Sequence, residues 1–392
     1  MQKFMFLPIA AFLIAAPAWP DDNAKNPPTM GLLRDVGISA DGKLAFAGDS
    51  NRVIWVWDVE KRKLLRAIQD TSKINQNTQP HFAFSADGKF AVVGNEEGIS
   101  IGGNPETRLD AKTFTFWDLT KGVRLRAFEL NGEPVYRVAI SPDGKRALSV
   151  SLWKTVLPQG RDPNTLRWFE IKSILALRLW DTSTGKLVRT LLDDGPVGPI
   201  AFSPDSKYFS DVWVNPQART EKNRAWALGK WDTKSGDVLG AKEMAITWSH
   251  LEIGSMALSA GGKHVVVGNY VGLSLWNVET GKLVWYHDNQ VLRGGVRFDD
   301  WVVRSVAFSP DAKQILAAGY GGFLDGKPCD RRGGMVILDA AMGRRIPGFI
   351  GTTEWVGSVL FVPESKMLLG STKHGLRLWD ARSGGLVDTF KN

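Results

Sequence analysis

Five histidines and one cysteine are the chain's whole supply of imidazole bases and thiols, and their spacing builds no reaction centre. His81, His250, His264, His287 and His374 stand far apart and include no His-x-x-x-His pair. A zinc site needs at least three ligands converging on one point, which this scatter does not supply. There is no Gly-x-Ser-x-Gly elbow for a nucleophilic serine and no glycine-rich phosphate loop. Cys329 is alone, so an internal disulfide is impossible, and no histidine motif beside it marks it as a nucleophile.

The residues that can still grip a ligand are cations and aromatics set against a recurring turn. A pentapeptide of the type Ser-x-Asp-Gly-Lys begins at Ser39, Ser85, Ser141, Ser203, Ser259 and Ser309, with a degraded copy over 362–366. Six and seven positions before its third residue stand Arg34 and Asp35, His81, Tyr136 and Arg137, and Arg304. The other copies place Gly, Pro or Ser there. Three arginines, a histidine and a tyrosine around one opening suit a carboxylate or phosphate, because a guanidinium presents a planar fork of donors. A plainer reading stands beside it, in which Arg34 pairs Asp35, Arg304 pairs Asp299 or Asp300, and Arg137 pairs Glu133.

The elements that must hold these residues are short strands. Gly37 to Ile68 contains the whole unit: an apolar run, the turn at Ser39–Lys43, a second run to Gly48, a third ending at Trp57-Asp58, and a fourth from Leu64. Each run is strand-length and bounded by turn-forming Asp, Gly, Ser or Asn. The third run ends again at Trp117-Asp118, Trp180-Asp181, Trp231-Asp232, Trp276-Asn277, Leu338-Asp339 and Trp379-Asp380. Asp opens such turns through its side chain, and Gly takes the positive-φ position without steric cost. One four-stranded sheet cannot bury both its faces, whereas seven closed in a ring can, with the Trp filling the space between diverging sheets.

Those turns and Trp-Asp endings resemble the WD40 repeat family over residues 32–391, which implies an all-β, seven-bladed propeller of four-stranded antiparallel blades. The Gly-His pair that usually precedes the first strand is absent, so the family's complete Asp–His–Ser/Thr–Trp hydrogen-bond network is not expected. The last unit supplies all four of its own strands, ending at Leu386–Phe390. The ring is therefore expected to close by face packing alone, with residues 25–31 available as a short extra edge. Propeller enzymes of the lactonase type hold a metal in the channel with Glu, Asn and Asp. The Arg, Gly and Ser found here argue against a divalent cation, and no cofactor is expected.

Alternation of antiparallel strands puts the a–b and c–d turns on one face of the disc and the b–c and d–a loops on the other. From the third residue of the turn to the end of the third strand, blade 1 runs from 41 to 58, blade 5 from 261 to 277 and blade 7 from 364 to 380. The same interval stretches from 87 to 118 in blade 2, 143 to 181 in blade 3, 205 to 232 in blade 4 and 311 to 339 in blade 6. All the sizeable insertions thus fall on one face, and loops beyond their structural minimum are usually functional or disordered. Trp153, Trp168, Trp213, Trp226, Trp248, Trp301 and Trp355 lie on or beside that face. Disordered loops are poor in aromatics. Either these residues form small cores that hold the inserts down, or a few of them, Trp153, Trp168, Trp213, Trp226 and Trp301 foremost, line a binding surface with nearby arginines.

Residues 1–18 have the form of a secretory signal: Lys3, an apolar stretch from Phe4 to Ala15, and Ala16-Pro17-Ala18 before a cleavage point after Ala18. An extended leader, 19–31, follows. The stretch is too short for a membrane span, so the mature chain is expected to have none and to be periplasmic or secreted. The formal charge of +8 has no Lys/Arg run behind it, which makes nucleic acid a poor partner. The expected function is a non-catalytic scaffold whose insert-bearing face holds a protein or peptide, with an anionic ligand or glycan as a further class of partner. The alternative is a periplasmic propeller enzyme, a hydrolase or lyase acting on a sugar or lactone at the channel mouth.

Overall fold

The computed structural model describes residues 27–69, 79–96, 113–130, 133–156, 172–195, 197–214, 226–244, 253–269, 272–288, 302–320, 323–324, 327–328, 334–349, 352 and 354–390. The stretch expected to be a signal, 1–18, and most of the expected leader lie outside them. The chain is all-β, a ring of seven antiparallel blades with strands a to d in sequence order from the axis outwards. Strands a span Leu33–Ile38, Gln79–Phe84, Val135–Ile140, Val197–Phe202, Ile253–Leu258, Val302–Phe308 and Val356–Phe361. Six sheets are four-stranded. In blade 6 the place of strand d is held by a single bridge, Leu338 to Arg345, and the bond from Ile346 N to Ile337 O at 2.9 Å. Pro347, which has no N–H, and Gly348 at a φ of 86° end the pairing there.

The turns form as their residues dictate. Ser39 Oγ donates to Asp41 Oδ1 at 2.5 Å, and the same Oδ1 accepts Lys43 N at 3.1 Å. The pattern repeats at Ser85 and Asp87, Ser141 and Asp143, Ser203 and Asp205, and Ser309 and Asp311. The fourth residue of this turn needs a positive φ. Gly supplies it in blades 1, 2, 3 and 5, whereas Ser206 and Ala312 adopt it in blades 4 and 6; in the degraded turn of blade 7 the positive φ falls one residue earlier, at Glu364.

Seven apolar clusters form the core, and each one lies between two neighbouring blades. The Trp that ends strand c packs on the preceding blade: Trp180 meets Phe114 and Phe128 of blade 2, each at 5.6 Å. Trp57 meets Phe390 of blade 7 at 5.9 Å. Each buried indole N–H still needs an acceptor. Trp117 finds Thr115, Trp276 finds Ser274, Trp180 finds Ser149, and Trp231 finds Asp211, all within 2.7–2.9 Å. The network expected to be missing with its histidine thus survives in a shortened, two-residue form.

A second set of bonds laces the inner strands together. Phe82 N donates to Asp35 Oδ2 at 2.9 Å, Val306 N to Ser255 Oγ at 3.2 Å and Val359 N to Ser305 Oγ at 3.0 Å. Val36 N donates to Ser358 Oγ at 3.4 Å. In each case the side chain six residues before the turn position takes an N–H from the next blade round. The last bond closes the ring, together with Ser371 Oγ donating to Arg34 O at 3.1 Å and the Arg62–Asp388 ion pair at 3.8 Å. Closure therefore uses hydrogen bonds as well as face packing. The described part of the leader, 27–31, adds no strand. It is tied to blade 1 by Gly31 N to Asp49 Oδ2 at 2.8 Å, and Asp49 also accepts Asn51 N, Val53 N and Trp55 Nε1.

Two features of this core can be measured. Ser305 is buried, and removing its hydroxyl leaves Val359 N–H without its acceptor. Ser305→Ala should cost about 1–3 kcal/mol in denaturant unfolding. Asp211 is fully buried; Oδ1 accepts Trp231 Nε1, but Oδ2 meets no donor among the described residues. Burial raises its carboxyl from the ordinary 3.8 to about 7, against the lowering effect of the Trp231 bond. Between those values the unfolded chain has lost a proton that the folded chain keeps, so stability falls as pH rises from about 4 to about 7 and is level above. At roughly 1.4 kcal/mol per pH unit the loss is on the order of 4 kcal/mol. Asp211→Asn should flatten this profile, matching the parent near pH 4 and melting higher at pH 8.

Candidate functional site

The residues six before the turn position come to one level of the axis: Asp35, His81, Arg137 and Pro199 from blades 1 to 4, then Ser255, Ser305 and Ser358. Local backbone geometry aims them there. In six blades the a–b ladder carries a register shift at this level, as between Leu33 and Val36, Ile253 and Ser255, and Val303 and Ser305. Such bulges bend the strand and re-aim its side chains. Blade 2 pairs without a shift and presents His81 directly opposite Gly94.

These residues enclose a cavity of about 170 Å³ on the axis, with Arg304 and Gly254 also in its wall. Arg137 reaches across it from blade 3 and donates from Nη1 to Gly254 O of blade 5 at 3.1 Å. Pro199, short and without a side-chain donor, is the blade 4 residue at this level of the wall. Arg304 is exposed. Asp35 Oδ2, besides taking Phe82 N–H, lies 3.9 Å from His81 Nδ1.

The local pairings differ from the plainer sequence expectation. Glu133 binds Arg178 in bidentate fashion, at 2.5 and 3.0 Å, and accepts Ser151 Oγ at 2.6 Å, so it is engaged away from Arg137. Asp35 turns to Phe82 and His81 of blade 2, not to Arg34. Asp299 and Asp300 lie outside the described residues. Of the candidate residues, His81, Arg137 and Arg304 meet in the cavity wall. Arg34 and Tyr136, each one position earlier in its strand than the lining residue Asp35 or Arg137, do not line it. The alignment that gave the arginines already contained Asp35 and the serines, but only the bulges show which of two adjacent residues faces the axis.

The candidate tryptophans divide differently. Trp226 is 1% exposed and belongs to the core between blades 4 and 5, so it is not a surface residue. Trp213 is half-buried in strand b of blade 4, and Trp153 lies in strand b of blade 3. Trp168, Trp248 and Trp301 lie outside the described residues. Part of the long blade 3 interval is a hairpin, not a loop: strands Arg146–Val156 and Lys172–Asp181 stay paired as far as Val156 opposite Lys172. Blade 6 carries a two-residue hairpin, Phe323–Leu324 with Lys327–Pro328.

The opposite face is chemically quiet. Asp205 is held below the usual carboxylate range by Ser203. Burial works to raise Asp181, but donors on Ser183 and Thr184, with Arg146, bring it down to about 2. Such acids are ionised turn caps with no proton to give near neutrality. Among the described residues no three His, Cys, Asp or Glu side chains come together as a metal site.

No family model matches the chain, and no curated protein matches it by sequence. Among solved structures it is similar to the β-propeller domain of Cps50 (Swd1) of Myceliophteria thermophila. The TM-score is 0.61 at 14% identity, covering 91% of this chain and 99% of that one. An identity so low speaks for the backbone alone. By fold the chain is a seven-bladed β-propeller of four-stranded antiparallel blades, whose Trp-Asp endings and Ser-x-Asp-Gly-Lys turns resemble those of the WD40 repeat.

Proposed function

We propose that this protein is an exported, non-catalytic scaffold that holds a protein or peptide partner on the face bearing its b–c and d–a connections. The observation that carries the reading is an asymmetry between the faces. On one face the turns stay short, and five of the seven a–b turns are held by the same Ser–Asp bond. On the other they diverge, with the long hairpin of blade 3, the short hairpin of blade 6 and the longer intervals in blades 2 and 4. Variation confined to one side of a rigid scaffold is how repeat folds present a contact surface. The arginines in the channel mouth extend the partner classes to an anionic ligand or a glycan. Since folds host many functions, the step from propeller to scaffold is an analogy, and the site supplies its content.

Replacing 153–173 by a two-residue Asn-Gly turn keeps the lower part of the blade 3 hairpin and removes its projecting end. In a pulldown from the native envelope fraction, this variant and one with the blade 6 insert shortened should lose captured protein while melting near the parent temperature. Undiminished capture by both would sink the reading. Stoichiometric calcium or zinc in purified protein, with a hydrolytic activity abolished by chelator, would favour the enzyme instead. Export is tested separately: the intact mass of envelope-derived protein should correspond to a chain beginning at Trp19.

A further inference from the structure

We infer that the outer edge of blade 6 is a docking site for an extended segment of a partner polypeptide, which adds there as the blade's fourth strand. This surface is on the rim, so it goes beyond the contact face proposed above and does not rest on it. Six blades carry a complete strand d, whereas in blade 6 strand c, Gly334–Asp339, is the last strand of its sheet. Which of its backbone groups point outwards follows from the alternation of an antiparallel ladder. Ile337 O accepts Ile346 N, so Ile337 faces the rim, and Met335, two residues back, does too. Pro347 has no N–H to continue the ladder, and Gly348 at its positive φ turns the chain away. The N–H and C=O of Met335 therefore meet no hydrogen-bond partner among the described residues, although Met335 is buried.

At the same level of other blades strand d supplies what is missing. Leu376 O, the counterpart in blade 7, accepts Phe390 N at 2.8 Å. In blades 1, 2 and 3 the counterparts Ile54, Phe114 and Leu177 stand opposite Ile68, Phe128 and Leu192. These apolar side chains fill the gap to the next blade. In blade 6 Phe349 fills it by an irregular path: it is buried in the cluster shared with blade 7, and its carbonyl accepts Arg345 Nη2 at 3.1 Å. The segment Ile346–Phe349 thus restores the apolar part of a strand d without its hydrogen bonds. Buried backbone groups left unbonded are costly, and such groups on a strand edge are a template for another strand. A segment that displaces Phe349, puts its own apolar side chain in the vacated space and bonds to Met335 recovers both, which is strand addition with a side-chain anchor. The segment that fits is extended, free of proline at its centre, and carries Phe, Ile or Leu opposite Met335. The six complete outer strands each carry a bulge beside the end of strand c, which blunts them against the same addition.

Two peptides copied from this chain's own outer strands, 63–69 and 123–130, serve as probes, because they place Ile68 and Phe128 at the required level. Labelled and titrated with the purified protein in fluorescence anisotropy, at least one should bind one to one below about 1 mM, and the 123–130 peptide with Phe128→Asp should not. Hydrogen exchange should show the Met335 amide exchanging faster than that of Leu273, its counterpart in blade 5, and becoming protected once peptide is bound. Pro347→Val with Gly348→Thr lets the chain build its own strand d, and should weaken peptide binding about tenfold while raising the melting temperature. Phe349→Ala empties the seat and should tighten binding about threefold; the double variant keeps the test intact if this one folds poorly. The proposal is overturned if neither peptide binds at about 1 mM, or if the double variant binds as the parent does. A dimer of the purified protein that the peptide dissociates would assign the edge to a second copy of this chain instead. The variant lacking 153–173 should bind the peptides as the parent does, whatever becomes of its captured partner, so the two readings fail separately.

Discussion

Everything in this molecule depends on covering both faces of seven small sheets. A single four-stranded blade has an apolar face on either side and no interior of its own. The seven apolar clusters all lie between blades, so no blade has a core that it does not share. The strand c tryptophans serve this need directly, since each spans the widening gap to the blade before it. Their indole N–H groups then require Ser, Thr or Asp at positions that would otherwise be free to vary. The inner ring of bonds from Asp35, Ser255, Ser305 and Ser358 fixes the spacing of the strands nearest the axis.

Where that ring changes chemistry, a site appears. Blades 2, 3 and 4 place His81, Arg137 and Pro199 at the level where four other blades place a side-chain acceptor for the next strand. Arg137 spans from blade 3 to blade 5 instead of bonding to its immediate neighbour. The polar content of the channel mouth is thus the lacing position put to another use, on the same side of the disc as the inserts. Buried Asp211 has a different origin. It occupies the strand b position that Ser149 holds in blade 3 and does the same work for an indole. A carboxylate there takes on a desolvation cost that a hydroxyl avoids.

Much of the architecture was legible in the residues. Ser39, Asp41 and Lys43 state their own turn, because each bond in it is local, and the Trp-Asp endings state where strand c stops. The contiguity of blade 7 could be read from Leu386–Phe390. What could not be read depends on contacts between distant residues or on small backbone shifts. The partner of Glu133 is Arg178, 45 residues on, which sequence proximity to Arg137 concealed. Trp226 looked like part of an insert and is core, because the strand it begins pairs fully, residue by residue, from Val214 to Tyr208. The bulges that turn Arg137 inwards and leave Tyr136 outside leave no mark in residue type.

Each strand ladder within a blade joins consecutive stretches of chain, so the pairing is local and the blades can form with little loop closure. The contact between blades 1 and 7 is different in kind: Val36 and Ser358 are 322 residues apart. Until that seam shuts, a stack of finished blades carries two bare apolar ends, each matched in shape to the other. Within one chain they meet at high effective concentration, because the cost of closing a loop grows only with the logarithm of its length. Between chains the same two ends would join head to tail and continue without limit. The seam that completes the ring is therefore also what keeps the folded protein from becoming a filament.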